Sequence, residues 1–344
     1  MPRSSSWFLA GASATLIAAC ASSTAPASDD PVQLFEAVWT DFDLNYAFFP
    51  LVNVDWRALH DVYEDSIRHS TSTMRTATLM GDMIWKLRDR HAVLITPMGA
   101  FGPPYMPPQP DFNSSFLEAR YFARPVQLTP SKRMAYTLLN GGTGYLYIGS
   151  FEGDGWGEEI DAVLADLGSA PAIVIDIRNN GGGNENVART IASRFYDKER
   201  VYRFGRFRNG PAHTDFGPPI PFSVKPAGQR IFAGPIALIT NRVNGSAAED
   251  FVLMVAVLPQ AVTVGDTTAG VGSHPLDRSL PNGWSYRVPQ SQESTPDGFV
   301  YNFKGLPPRV SVRWDIEILS SGHEPYIDAA LAELKRRTVP SPSR

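Results

Sequence analysis

Between Ala172 and Phe195 the chain reads Ala172-Ile173-Val174-Ile175-Asp176-Ile177, then Arg178-Asn179-Asn180-Gly181-Gly182-Gly183, then a helical pattern from Asn184 to about Phe195. An unbroken apolar run of this length is a strand buried on both faces, and such a strand needs layers of helix above and below it. The order recurs. Gly144-Tyr145-Leu146-Tyr147-Ile148 reads as a strand and is followed by the helix face Ile160, Val163, Leu164 and Leu167. Ile236-Ala237-Leu238-Ile239-Thr240 reads as a strand, Ser246 to Val257 as a helix, and Val262-Thr263-Val264-Gly265 as a strand again. This alternation predicts an α/β layered core with mainly parallel connections, and no repeat with a period of 20 to 50 residues accompanies it.

Upstream the periodicity changes. Asp30-Pro31 pairs a cap with a first-turn proline, and Leu34, Phe35, Val38, Trp39, Phe42 and Tyr46 follow at helical spacing. Asp55 caps a second helix carrying Trp56, Leu59, Tyr63 and Ile67, and Thr73 opens a third through Leu79, Met80, Met83, Ile84 and Leu87. These stripes have the spacing of core packing, so residues 31–98 are expected to form a small N-terminal helical domain. Residues 99–140 are a Pro-rich connector with strands, 141–336 the α/β core, and 337–344 a tail.

Several function classes fall away on composition. Lys+Arg 31 against Asp+Glu 35, a formal charge of -4, with no basic run, argues against a nucleic-acid partner. The single cysteine, Cys20, excludes a disulfide framework and paired-cysteine zinc sites, and neither a metal nor an organic cofactor is expected. Cys20 ends the run Ile17-Ala18-Ala19-Cys20, behind Arg3 and an apolar stretch from Trp7 to Ala19. The run resembles a bacterial lipobox, which implies a lipoprotein signal peptide over 1–20, lipidation at Cys20 and a Ser/Ala/Thr-rich tether over 21–30. The expected location is the bacterial cell envelope, with a lipid anchor holding the chain to a membrane. An ordinary secretory signal would export the chain equally.

Three segments carry polar residues that packing alone does not explain. In Asp176 to Gly183, consecutive glycines ahead of a helix can turn backbone N–H groups toward an anion, although a tight turn has the same composition. Neither Gly-x-Gly-x-x-Gly nor Gly-Lys-Ser/Thr is present there, which argues against a nucleotide. In Asn244-Gly245-Ser246-Ala247-Ala248-Glu249 a serine stands at a helix start, where an alkoxide is favoured and the N–H of Ala247 points at the same spot. Serine is also the preferred helix N-cap. In Leu87-Arg88-Asp89-Arg90-His91-Ala92-Val93-Leu94 a histidine sits between helix and strand, which is the setting either of a base or of a structural residue.

In their order along the chain, Phe42 to Phe49, Asp89 to His91, Gly144 to Ile148, Asp176 to Gly183, Asn244 to Glu249, Gly265 to Gly270 and Gly305-Leu306-Pro307-Pro308 resemble the S41 serine peptidases. That family comprises the tail-specific, or C-terminal processing, proteases and the tricorn-protease core. The resemblance covers nearly all of residues 35 to 335. It implies a crotonase-like or ClpP-like α/β spiral, Ser246 as nucleophile, and an oxyanion hole from the N–H groups of Ala247 and Gly182. Tail-specific members carry a lysine base in the run that is Gly265 to Gly272 here, and Val271 takes its place. The tricorn-like branch uses a histidine matching His91, which is then the general base. Where that branch has a serine and a glutamate, this chain has Arg90 and Asn302. The resemblance therefore points to Asn302 as the group that orients His91, with Asp89 as an alternative carboxylate and Lys304 as a further candidate base.

The segment between His91 and Gly144 is too short for a peptide-tethering PDZ domain of roughly 80 to 90 residues, so none is expected. Arg206, Arg208, Arg242 and His274 are candidates for a substrate carboxylate. The reading overall is an exported serine endopeptidase acting on a protein or peptide. The rival is a degenerate peptidase fold that binds peptides or hydrophobic ligands, as the resembling retinoid-binding protein of the eye does. Oligomeric state is left open.

Overall fold

The computed structural model describes residues 29–338 apart from 105, 108 and 110. Cys20, the signal peptide, nearly all of the tether and most of the C-terminal tail lie outside the described residues. The chain opens with α1 (Pro31–Asn45), α2 (Trp56–Arg68) and α3 (Thr73–Trp85). Asp30 accepts the Val32 N–H at 2.9 Å and Asp55 the Ala58 N–H at 3.0 Å, as their cap positions predict. Ser72 caps α3, one residue before the expected start. Trp39 and Trp56 lock α1 to α2, each donating its indole N–H to the other's carbonyl at 3.0 and 3.1 Å.

The N-terminal unit is more than helices. After α3 come β1 (Val93–Thr96) and β2 (Gly99–Phe101), then α4 (Ser114–Arg120), β3 (Gln127–Leu128), β4 (Met134–Leu138), β5 (Gly144–Ile148), α5 (Trp156–Asp166), β6 (Ile173–Asp176) and α6 (Glu185–Ala192). There follow β7 (Arg200–Phe207), β8 (Ile220–Val224), β9 (Ile236–Thr240), α7 (Ala247–Ala256), β10 (Ala261–Gly265), β11 (Pro275–Ser279), β12 (Ser285–Pro289), β13 (Ser291–Ser294), β14 (Val310–Ser311), α8 (Ile316–Ser320) and α9 (Pro325–Thr338).

A seven-stranded sheet in the order β14-β10-β9-β6-β5-β4-β3 carries the α/β core, with β5, β6, β9, β10 and β14 parallel. Ile173 and Ile175 pack with α5, α6 and α7 on one face, and Val174 packs with α4 and α9 on the other. That is the two-sided burial the apolar runs predicted. No helix among the described residues is long and apolar enough to cross a membrane.

One boundary differs from the sequence reading. The hairpin β11–β12 leaves the core and pairs with β1, in a sheet ordered β11-β12-β1-β2 with Val93 opposite Arg287. Leu280, Trp284, Tyr286 and Val288 of that hairpin complete the apolar core formed by α1, α2 and α3. Alternation within β12 gave no local sign of its partner, because the pairing joins segments nearly two hundred residues apart in sequence. The stretch between His91 and Gly144 forms β1, β2, α4, β3 and β4.

Candidate active site

The site lies beyond the C-terminal ends of the parallel strands, where ligands bind in sheets of this kind. Three turns meet there and asparagines stitch them together. Asn244 Nδ2 donates to the carbonyls of Ile177 at 2.6 Å and Asn180 at 2.9 Å, and its Oδ1 accepts the Asn241 N–H at 2.7 Å. Asn180 Nδ2 donates to the Ile148 carbonyl at 3.1 Å. All of Asn180, Asn241 and Asn244 are buried, so these bonds fix the turns in place.

Ser246 sits at the mouth of this arrangement with φ 56° and ψ -132°, a conformation sparsely populated by any side-chain-bearing residue. It stands at the N-cap position of α7, yet its hydroxyl caps nothing. The two meanings that a serine at a helix start carries are thereby separated: the backbone is strained and the hydroxyl is not used for the helix. Its N–H donates to the Val271 carbonyl at 3.1 Å, so the loop that bears a lysine in tail-specific relatives here anchors the serine backbone. The N–H of Ala247 begins the helix, where no intrahelical acceptor exists.

Gly182 differs from expectation. Its N–H donates to Asn180 Oδ1 at 2.9 Å and is not free for an oxyanion. A Cβ at Gly182 would lie 2.6 Å from the Gly245 carbonyl oxygen and 2.9 Å from the Ser246 Cβ, at φ +115°. The glycine is there for close approach to the serine turn.

His91 lines the same cleft of about 580 Å³ as Ser246, together with Arg90, Met106, Glu152, Gly181 to Gly183, Val271 and Arg287. The ring is buried, and burial pushes its pKa down to about 4, with Glu293 opposing and Arg287 and His274 assisting. At neutral pH it is an unprotonated imidazole. Its Nδ1 is buried without a hydrogen-bond partner among the described residues.

The expected orienting groups do not reach that nitrogen. Asn302 accepts the Glu293 N–H at 3.1 Å with Oδ1 and donates to the Gly272 carbonyl with Nδ2, so both ends of its amide are committed to backbone. Asp89 accepts the backbone N–H of His91 at 2.9 Å, which shapes the turn before β1, and burial raises its carboxyl to about 6. Lys304 is exposed, with Nζ 5.6 Å from the Phe299 ring centroid. None of Arg206, Arg208, Arg242 and His274 lines the cleft. Arg242 pairs with Asp266, and His274 Nδ1 binds Glu293 at 2.8 Å.

Glu249 is a support the sequence reading passed over. It is fully buried in the first turn of α7 and accepts from the Thr268 hydroxyl, the Gly270 N–H at 2.8 Å and the Val271 N–H at 2.7 Å. Burial raises its carboxyl to about 7 despite those donors. It thus holds the loop whose Val271 carbonyl holds Ser246. Two adjacent acids, Glu249 and Asp250, in the otherwise apolar run Ala247 to Ala256 were the available signal. Among the described residues no group of His, Cys, Asp and Glu is arranged to hold a metal ion.

Residues 142–312 match peptidase family S41, and residues 28–85 match the tricorn protease C1 domain. The chain is 25% identical over 204 residues to the carboxy-terminal processing protease CtpA of Bacillus subtilis, covering 58% of this chain and 40% of that protein. It is 29% identical over 174 residues to a CtpA-like serine protease of Staphylococcus aureus, covering 50% of this chain and 34% of the relative. The chain therefore spans well under half the length of these curated relatives. Among solved structures it resembles a candidate peptidase of Parabacteroides merdae, with TM-score 0.79 and 28% identity, over 92% of this chain and all (100%) of the other. The tricorn protease shares the fold at TM-score 0.56 and 14% identity, over 90% of this chain and 37% of its own.

Proposed function

Since the chain belongs to peptidase family S41, we propose that it is a serine endopeptidase that cuts protein or peptide substrates through an acyl-enzyme on Ser246. The observation that carries this reading is the strained, uncapped Ser246 at the head of α7, sharing one cleft with a buried and unprotonated His91. His91 accepts the Ser246 hydroxyl proton as Oγ attacks the scissile carbonyl carbon. The carbonyl oxygen takes the negative charge and is met by the N–H of Ala247, with the positive end of α7 behind it. The tetrahedral species collapses, the carbon–nitrogen bond breaks, and the imidazolium returns its proton to the leaving amine. Water then attacks the ester, with His91 again taking and giving the proton, and Ser246 is restored. No step calls on a metal or organic cofactor.

Export and anchoring belong to the same proposal. The lipobox-like run at Cys20 supports a lipidated protein of the bacterial cell envelope, whose α/β body works beside the membrane. Radiolabelled palmitate incorporation lost in Cys20→Ala tests this arm.

A fluorophosphonate probe tests the chemistry. Wild type is expected to label covalently, and Ser246→Ala and His91→Ala to lose labelling, with peptide hydrolysis falling by several orders of magnitude. One observation favours a second reading, a binding protein of peptidase fold: among the described residues no carboxylate hydrogen-bonds the His91 Nδ1, and both ends of the Asn302 amide are committed to backbone. Wild type that neither labels nor cuts unfolded protein would establish that reading instead.

A further inference from the structure

His91 belongs to neither α3 nor β1, so no ladder of helix or strand bonds fixes the proposed base against Ser246. The chain turns between the two elements, with Arg88 at φ 54°, in the left-handed region. Two N–H groups close this turn on one residue. Ala92 donates to the Asp89 carbonyl at 3.1 Å, and His91 donates to Asp89 Oδ1 at 2.9 Å. The Asp89 side chain is thereby a clamp on the main chain that carries the base.

The other end of the clamp comes from a different element. Asp89 Oδ2 and the Tyr46 hydroxyl are both buried, and neither is bonded to a third group among the described residues. Burial pushes the Asp89 carboxyl up to about 6, against the pull of the His91 N–H, the Tyr46 hydroxyl and the Ala92 N–H. Burial also raises the Tyr46 phenol well above its usual value, and the Asp89 charge adds to the rise. A phenol and a carboxylate oxygen that act on one another, with no third group to turn to, are a donor and an acceptor left for each other.

Tyr46 is itself well held. Its N–H donates to the Phe42 carbonyl at 2.9 Å, at the end of α1, and its ring packs edge-on against Phe48 and Phe49 with centroids at 5.5 and 4.9 Å. Ala47 beside it donates to the Pro289 carbonyl at 2.9 Å, at the end of β12. The charged groups around the pair are engaged elsewhere. Arg208 reaches the Tyr46 carbonyl at 3.5 Å, Glu293, Arg287 and His274 act on the His91 ring, Arg88 lies over the Trp85 ring, and Arg90 lines the cleft. Among the described residues none of them acts on Asp89.

We infer that Tyr46 and Asp89 are positioning residues: the Tyr46 hydroxyl holds the Asp89 carboxylate, which holds the main-chain N–H of His91 and so sets where the base stands against Ser246. For its effect on rate the inference rests on the peptidase reading. Neither residue touches the reacting atoms. An ionised carboxylate accepts from the hydroxyl with one oxygen and from the N–H with the other, whereas protonation makes one oxygen a donor and takes the charge from both bonds. The clamp is therefore at full strength above about pH 6 and loosens below it, before His91 itself takes a proton near 4.

The first arm of the test is the rate of fluorophosphonate labelling of the full chain across roughly pH 4 to 8, at a temperature where every variant is folded by circular dichroism. Wild type should slow in a partial step near pH 6 and again near 4. Asp89→Asn has no proton to gain there, so it should label at least about tenfold more slowly at pH 8, as a displaced base does, and lose the upper step while keeping the lower one. Tyr46→Phe removes a bond that lowers the carboxyl, so its upper step should move to higher pH. Wild-type rates in both variants overturn the inference, and so does a slowing by the same factor at every pH with the upper step in place, which is what general loosening of the fold would give.

The second arm does not need the reaction. Deuterium exchange at the ring C2 carbon of His91, read by mass spectrometry on full-length Ser246→Ala, should be several-fold faster when either Tyr46→Phe or Asp89→Asn is added. Exchange unchanged by both overturns the inference. Wild type that never labels, together with faster exchange in both variants, overturns the peptidase reading and keeps the clamp. Wild type that labels, with both variants matching it in labelling and exchange, overturns the clamp and leaves the peptidase reading intact.

Discussion

At the scale of the residue, the chemistry depends on three positions whose meaning the sequence left ambiguous. Serine at a helix start is written the same way for a cap and for a nucleophile, and only the backbone angles of Ser246 and its unused hydroxyl separate the two. Gly182 was legible as a glycine that matters, but as an N–H donor; its N–H is spent on Asn180, and its lack of a side chain is what the site uses. Gly182→Ala should therefore push its Cβ into the Gly245 carbonyl and the Ser246 Cβ, in a φ region costly for alanine, at about 1 to 3 kcal/mol of backbone strain alone. The expected outcome is a lower thermal midpoint together with strongly reduced fluorophosphonate labelling; labelling at the wild-type rate would contradict the close approach. His91 gives a pH prediction with a definite sign. Its folded pKa of about 4 lies below the ordinary 6.5, so the unfolded chain takes up a proton there that the folded chain refuses. Its contribution to stability is complete above about pH 6.5 and is lost as pH falls toward 4. Asp89, raised to about 6 from 3.8, acts in the opposite sense: its contribution is complete below about 3.8 and is lost as pH rises through 6. Comparing wild type with His91→Gln isolates the histidine. Wild type should lose thermal midpoint relative to the variant on going from pH 7 to 4, and a relative gain would refute the buried neutral ring.

At the scale of the element, local signals carry the cap positions and the buried strands, while β7 and α9 have no counterpart in the sequence reading. Helices α1 and α2 start at Asp30 and Asp55 because a carboxylate can take the orphan N–H groups of a first turn, and β6 is buried on both faces because it has no polar face to expose. What escaped was long-range. The pairs that hold turns to one another, such as Asn244 with Ile177 and Arg178 with Glu324, join residues far apart, and no periodicity records them. Arg178 is the strongest case. It is fully buried, forks onto Asp176, reaches Glu324 at 2.6 Å, and lies between the rings of Phe112 and Tyr326, tying the end of β6 to the start of α9. Burial alone would lower its pKa, but the two carboxylates outweigh that and hold it well above the usual value. Arg178→Ala strands Asp176 and Glu324 as buried acids, and the expected cost is about 3 to 5 kcal/mol, measured by denaturant unfolding. The tie between α7 and the following loop is a gentler lever. Glu249→Gln keeps the shape of the side chain but turns an NH₂ toward N–H donors, so one of the bonds from Gly270 or Val271 must fail. About 1 to 3 kcal/mol should be lost, and peptidase rate with it, because the Val271 carbonyl that holds the Ser246 N–H moves with that loop. A variant less stable but equally active would show that the loop supports the fold without setting the serine.

At the scale of the molecule, the proposed nucleophile and base come from different halves of the chain, and the hairpin β11–β12 is what fixes one against the other. Ser246 is carried by the α/β core, while His91 stands between α3 and β1, in the N-terminal unit. Those halves share a core because β12 pairs with β1 and sends Trp284, Tyr286 and Val288 in among α1, α2 and α3, with Phe216 packed against the same cluster. A division into an N-terminal helical domain and a separate peptidase core, reasonable from composition, therefore misses that the first half borrows part of its interior from the second. The consequence is cooperative. Heat should unfold both halves in one transition, with calorimetric and van't Hoff enthalpies in agreement, whereas two resolved transitions would mean that the hairpin packs without coupling them. Trp284→Ala carries the argument to activity. The indole is 3% exposed and does not line the cleft, and its loss should cost about 3 to 5 kcal/mol by the cavity it leaves. If the hairpin aligns the two halves, the folded variant at low temperature should also label Ser246 more slowly than wild type, since the base is less well held against the nucleophile. Wild-type labelling in a destabilised variant would mean that the turns of the α/β core position His91 without help from the hairpin.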